Sequence, residues 1–391
     1  MANHGRPREV INAVRKKYPP LVSIATGSYN AKRKIIYKAK GVKDDDTMEM
    51  DRGGDVAPQF ARTLNGERFL VKDSTIQTAT GASRMVVFAS DFGLDLLADS
   101  RTVFCDGTFD AVPSPFTQLF TIHAYVSESV VRPVVFCLLS DKQTASYEAV
   151  LKIVSESHPR LTVWEPLLVI CDFEIALKNA FRSQFPRTCV QGCLFHLLQS
   201  WRRKAEQLHI YEEFTKGSIK DFWARLKSIP FIDASQTKQF FDLIVTTVAM
   251  PIPQNIQDFI DYLSRFYIES TDRFPPSMWS VVDRTMNGIH RTTNVVETWH
   301  KMLTYVFSKK NGLSPVLMSD LLMKVKEEEE HTRMDAEELR LDPNFQVNRS
   351  RRLSVMKDKR LIKALENSPL PPNAPLTGIQ LLDSISMANS S

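Results

Sequence analysis

The strongest constraint on the fold is a series of apolar segments between residues 102 and 192 that stops twice at an aspartate. Residues 102–105 form a short apolar run ending at Asp106-Gly107. Residues 118–126 and 131–139 are rich in β-formers and flank Ser127-Glu128-Ser129, the pattern of a hairpin. Residues 144–157 then take a helical period, with Tyr147, Val150, Leu151 and Val154 on one stripe. A continuous apolar strand over 167–171 stops at Asp172, and a helix over 174–185 and a strand over 188–191 follow. Three strands, then helix, strand, helix and strand, describe an α/β fold with a mixed sheet and helices on both faces.

Beyond residue 197 the period becomes helical throughout. Phe222, Trp223 and Leu226, then Phe240, Leu243 and Ile244, then Phe259, Leu263 and Phe266 recur at helical intervals, and Pro251, Pro253, Pro275 and Pro276 mark breaks. These define an all-helical insertion over 197–285. A last strong helix starts near Asn294 and ends before Gly312. Residues 1–65 form a basic then acidic, partly flexible segment, 66–196 the first part of the α/β core, 286–312 the helix completing it, and 313–391 a helical region with a loose tail.

Asp106 and Asp172 each follow a cysteine at the end of an apolar strand. Side chains alternate across a strand, so Cys105 and Cys171 should face a covering helix while the two carboxylates face one common site. Clustered carboxylates repel and are poorly solvated unless a cation lies between them. Two divalent ions ~4 Å apart, held by such groups, suit in-line phosphoryl transfer. Taken singly, each aspartate is also an ordinary turn former or N-cap. Glu297 is the third acid. It lies three residues after Asn294 and so also fits a capping box, with Val296, Trp299, Leu303 and Val306 as the buried stripe and Glu297, His300 and Lys301 on an adjacent face.

Composition sets only broad bounds. The 391 residues are 43% hydrophobic and 24% charged, ordinary for a globular chain with room for two or three units. A formal charge of +5 permits nucleic-acid binding without proving it. All five cysteines lie within residues 105–193, an odd number that favours reduced thiols over a disulfide framework. No apolar run is long enough to span a bilayer and no signal peptide opens the chain, so an intracellular protein without membrane contact is expected.

Several ordered stretches carry a resemblance. Asp106-Gly107-Thr108-Phe109 is followed by residues 116–123, by Leu138-Leu139-Ser140-Asp141-Lys142, by Cys171-Asp172-Phe173-Glu174, by residues 191–196 with Cys193 and His196, and by residues 291–300 with Asn294, Glu297 and His300. In this order, across about residues 66–310, they resemble the Mutator-like element (MULE) transposase family, of the animal type usually associated with a FLYWCH zinc finger. The resemblance implies a ribonuclease-H-like sheet and a triad of Asp106, Asp172 and Glu297 holding two Mg²⁺ or Mn²⁺ ions. It implies cleavage of DNA at element ends and joining to target DNA, in the nucleus, by a homo-oligomer.

Asn294 and His300 would support the glutamate. Cys193 and His196 would assist the site or hold zinc with other ligands, for which Cys189 and His209 are the possible completions. Two ligands do not make a structural zinc site, so a packed cysteine beside a hydrogen-bonded histidine is expected. No cysteine precedes Cys105, so a finger is lost, truncated or elsewhere. Basic residues near the start (Arg6, Arg8, Arg15, Lys16, Lys17 and 32–34) and Arg349, Arg351, Arg352, Lys357, Lys359 and Arg360 are candidates for phosphate contacts. The alternatives are a domesticated, non-catalytic DNA-binding or regulatory protein, and a nuclease that hydrolyses without joining.

Overall fold

The structure, a computed structural model, describes residues 45–127, 130–311, 315–342, 351–366 and 375–390. The early basic clusters, Arg349, and the side chains of Arg351 and Arg352 lie outside these residues. Two compact units divide the chain, Met1–Gly54 and Asp55–Ser391. In the first, the acidic run, where helical fragments and flexible linker are expected, forms helix α1 (Asp45–Asp51), with Met50 buried.

The second unit is built on a seven-stranded sheet: β1 (Leu70–Thr78), β2 (Gly81–Phe88), β3 (Thr102–Thr108), β4 (Gln118–Ser127), β5 (Val130–Leu139), β6 (Leu168–Cys171) and β7 (Cys189–Gly192). Its spatial order is β1-β2-β5-β4-β3-β6-β7, antiparallel from β1 to β3 and parallel from β3 through β6 to β7. This is the ribonuclease-H-like mixed sheet expected, extended by the β1–β2 hairpin. That hairpin was not foreseen, because β1 alternates partly buried and exposed residues with few large apolar ones.

One face of the sheet is covered by α2 (Asp91–Asp99), α3 (Thr144–Glu156) and α4 (Ile175–Gln184). Its core gathers Val103, Cys105, Cys171, Tyr147, Val150, Leu151, Val154, Leu177 and Phe181, so both cysteines point under the helices as alternation requires. The opposite face packs Phe104, Val131 and Ile170 against Val296 of α12, a helix over Asn294–Asn311. A further helix, α13 (Met318–Leu341), lies beside it, with Thr332 Oγ1 donating to the Pro133 carbonyl at 3.2 Å and Trp299 Nε1 donating to Glu328 at 3.0 Å. Residues 318–341 therefore cover the sheet.

Between β7 and α12 the chain is helical: α5 (Leu194–Gln207), α6 (Tyr211–Thr215), α7 (Lys220–Leu226), α8 (Thr237–Val245), α9 (Gln254–Leu263), α10 (Pro276–Trp279) and α11 (Val282–Met286). The proline pairs stop and restart these helices as expected, Pro253 preceding α9 and Pro276 opening α10. Their shared core centres on Trp201, Trp279, Phe214 and Phe259. Two later helices, α14 (Arg351–Glu366) and α15 (Pro375–Ser390), add Leu361, Leu382 and Ile385 to it, and Arg225 pairs with Asp383 at 2.8 Å. The C-terminal stretch expected to be loosely held thus closes the helical core, because its apolar positions fall on one face of α15. No helix among the described residues is long and apolar enough to cross a membrane.

Candidate active site

Two adjacent strands and two helix starts meet at the edge of the parallel part of the sheet. Phe104 of β3 stands opposite Ile170 of β6, so Asp106 and Asp172 follow that pair by two residues on neighbouring chains. Because Phe104 and Ile170 face α12, alternation sends both carboxylates towards that helix. Asp106 does not open a turn, as an ordinary strand-end aspartate would: β3 continues to Thr108, with Gly107 opposite Phe120. Asp172 does end its strand, and it accepts from the Glu174 amide at 3.2 Å, a local turn bond.

The start of α12 sits one residue earlier than the capping reading placed it. Glu297 N donates to the Thr293 carbonyl at 2.9 Å, so Thr293 is the N-cap, while Asn294 is exposed. Thr293 Oγ1 also reaches Glu297 Oε1 at 3.4 Å. Val296 and Leu303 are buried as expected, but Val306 is 37% exposed and Phe307 takes its place in the core. His300 is not on an open polar face. It is buried, with Nδ1 3.3 Å from Asp106 Oδ2 and Nε2 3.2 Å from Thr121 Oγ1. Thr121 in turn meets His123 Nε2 at 3.1 Å, and burial, with His300 and Arg132 nearby, holds His123 well below the usual histidine range.

Glu297 Oε1 lies 3.6 Å from His196 Nε2. Cys193 immediately precedes α5 and His196 lies in its first turn, so the two approach the same point. Ligand atoms of Cys193, His196 and Glu297 all lie within 4.8 Å of one another. Among the described residues no other trio of metal-capable side chains is so close, and Asp106 and Asp172 stand outside it. Burial lowers the His196 pKa, but Cys193, Glu297 and Asp106 outweigh it and lift the value to about 9. Burial acts to raise Cys193, and His196 and Thr293 more than reverse it, so the thiol ends below its ordinary value. The other proposed completions are elsewhere: Cys189 is exposed on β7, and exposed His209 lies at the far end of α5.

Asp172 is pushed up, first by burial and then by the charge of Asp106. Glu174 is raised by burial and by Asp172, and its enclosed Oε1 has no hydrogen-bond partner. It is a fourth acid of this site, not among the acids expected from the sequence. The spacing Asp172-x-Glu174 at a strand end was the available signal. At the rim, Lys142 Nζ lies 3.4 Å from the ring centroid of half-exposed Phe109 and acts electrostatically on Asp172 and Glu174.

Two packing features hold the site. A Cβ on Gly192 would stand 2.3 Å from Phe173 Cζ, so only glycine lets the ring beside Asp172 lie against β7. Arg284 of α11 is buried, with Nη2 donating to the Gly192 carbonyl at 2.9 Å and Nη1 to the Arg291 carbonyl at 3.4 Å. It ties the end of β7 to the loop that launches α12.

A mixed sheet of this order, with acids gathered where β3, β6 and α12 meet, defines a ribonuclease-H-like α/β protein. Residues 102–200, from β3 into α5, match the family model of the MULE transposase domain. The matched stretch contains Asp106, Asp172, Cys193 and His196; Asn294, Glu297 and His300 follow it. No curated protein matches the chain.

Proposed function

We propose that this chain is the catalytic core of a DNA transposase that cleaves DNA at element ends and joins the freed ends to target DNA, acting in the nucleus as a homo-oligomer. The observation that carries the reading is that Asp106 and Asp172 lie at the ends of neighbouring strands, and His300 of α12, the helix that also bears Glu297, reaches Asp106 at 3.3 Å. DNA is the partner that a transposase domain implies.

The donor set fits divalent ions. Asp172 and Glu174 are driven towards protonation by burial and mutual charge, and Glu174 Oε1 lacks a partner, which is the condition a bound cation relieves. Asp106, Asp172 and Glu297 would hold Mg²⁺ or Mn²⁺, which supplies activation of the attacking oxygen and charge stabilisation at phosphorus. His300 fixes the orientation of Asp106 through its Nδ1. Cys193, Glu297 and Asp106 raise the His196 pKa, which favours the imidazolium form beside Glu297 while no metal is bound. Asn294 is exposed at the first turn of α12, available to a DNA strand. Lys357, Lys359 and Arg360 of α14 are candidates for phosphate contacts, which weaken steeply with salt.

The test is an in vitro cleavage assay on DNA bearing the element's terminal sequences with Mg²⁺ or Mn²⁺, comparing the parent with Asp106→Ala, Asp172→Ala and Glu297→Ala. A second reading, a domesticated non-catalytic DNA-binding or regulatory protein, draws on one observation: Glu297 groups with Cys193 and His196 rather than with both aspartates. Equal and negligible activity in parent and variants, with DNA binding retained, supports it.

A further inference from the structure

Phosphoryl transfer by carboxylates makes no use of a thiol, yet a buried one lies beside Glu297. Cys193, His196 and Glu297 reach the same point from the residue before α5, its first turn, and the first turn of α12. Cys193 is fully buried, and its Sγ accepts from the Thr293 amide at 3.3 Å, the kind of backbone donor that steadies a metal-bound thiolate. His196 Nδ1 is enclosed and has no hydrogen-bond partner.

Zinc takes sulfur at ~2.3 Å and nitrogen or oxygen at ~2.0–2.2 Å, so ligand atoms around it stand roughly 3.5 Å apart. The observed limit of 4.8 Å closes to that by side-chain movement of about an ångström. Sulfur and imidazole select a borderline transition metal, whereas Mg²⁺ prefers oxygen alone. Three protein ligands leave a fourth position open.

We infer that Cys193, His196 and Glu297 form a Zn²⁺ site, and that zinc bound there withdraws Glu297 from the aspartates and holds DNA cleavage off. The binding half stands on the geometry alone. The inhibitory half rests on the reading of Glu297 as the third catalytic acid.

Co²⁺ titration of the full chain reports the site directly, because a cobalt–thiolate bond gives a charge-transfer band in the near ultraviolet. One Co²⁺ per chain with that band, displaced by Zn²⁺, is expected. Cys193→Ser should abolish the band, and Glu297→Gln and His196→Gln, each losing a direct ligand, should keep it while weakening affinity. Cys189→Ser should change nothing. Thermal unfolding without metal shows which variants are folded; if Cys193→Ser is not, the His196→Gln affinity decides. No band in the parent, or affinity unchanged in a folded ligand variant, overturns the site.

Cleavage in Mg²⁺ with and without micromolar Zn²⁺ then tests inhibition. Zinc should slow the parent at least tenfold more than it slows Cys193→Ser. Equal slowing overturns the inhibitory half. Metal binding by a parent that never cleaves DNA leaves the zinc site standing and overturns the catalytic reading.

Discussion

His300 Nδ1 lies 3.3 Å from Asp106 Oδ2, so the helix that carries Glu297 also grips the strand that carries the first acid. The two residues are far apart in the chain, and the contact sets the spacing between β3 and α12. Replacing His300 with alanine should lower DNA cleavage by ~10–100-fold and raise the metal concentration needed for half-maximal rate. Rates measured across a Mg²⁺ titration check this. An unchanged metal requirement would show that His300 serves packing alone.

Without metal, the raised Asp172 and Glu174 disfavour the folded state at higher pH. A carboxyl whose folded pKa lies above its unfolded value stabilises the fold below the unfolded value, and that contribution is lost as pH rises through the folded one. Metal-free protein should therefore lose stability as pH climbs above the ordinary carboxylate range, where both groups titrate. In Asp172→Asn that loss should shrink. Melting temperatures of parent and variant, taken over the same pH series in chelator and in Mg²⁺, give the comparison, and the added ion should stabilise the parent most at the upper end.

Glu328 works in the opposite sense. Burial opposes its charge, but His331, Lys324 and the Trp299 indole hold its pKa down to about 2, against an ordinary 4.5. Its stabilising contribution is therefore full above the unfolded value and fades as pH falls from 4.5 towards about 2. Glu328→Gln should cost about 2–3 kcal/mol at neutral pH and little near the acid end. Denaturant unfolding at several pH values measures both.

Arg284 is buried and bonded only to backbone carbonyls of Gly192 and Arg291, with Nε unpaired. Arg284→Ala leaves a cavity and takes a donor from the Gly192 carbonyl, while the Arg291 carbonyl keeps the Leu194 amide at 3.0 Å, and should destabilise the chain by roughly 2–4 kcal/mol. Because this residue ties β7 to the loop before α12, the variant should also lose cleavage activity at temperatures where circular dichroism still reports a folded protein.

Periodicity made the central sheet and its first covering helices legible: the stripe Tyr147, Val150, Leu151 and Val154 is buried as one row, and Cys105 and Cys171 point beneath the helices. It could not show that α13 covers the second face, because its buried row runs from Leu321, Leu322 and Val325 into Lys326, Glu329 and Thr332, polar residues whose burial only the fold reveals. Nor did it show the role of α15, whose Leu381, Leu382 and Ile385 acquire meaning only against the helical core they share with Phe240 and Phe241. At the site, Asp106, Asp172 and Glu297 were readable from strand ends and ordered motifs. The pairing of Glu297 with Cys193 and His196 was not, since about a hundred residues separate them and no spacing rule links the two helices. Glu174 escaped because its significance is burial without a partner, a property of the fold.

The most direct test of the catalytic reading is single-turnover cleavage of terminal-repeat DNA in Mg²⁺ by the parent and by Asp106→Asn, Asp172→Asn and Glu297→Gln, each shown to be folded and to bind DNA. The account predicts metal-dependent strand cleavage by the parent and a loss of at least ~10²-fold in every variant. Cleavage at the parental rate by any one of the three would contradict it.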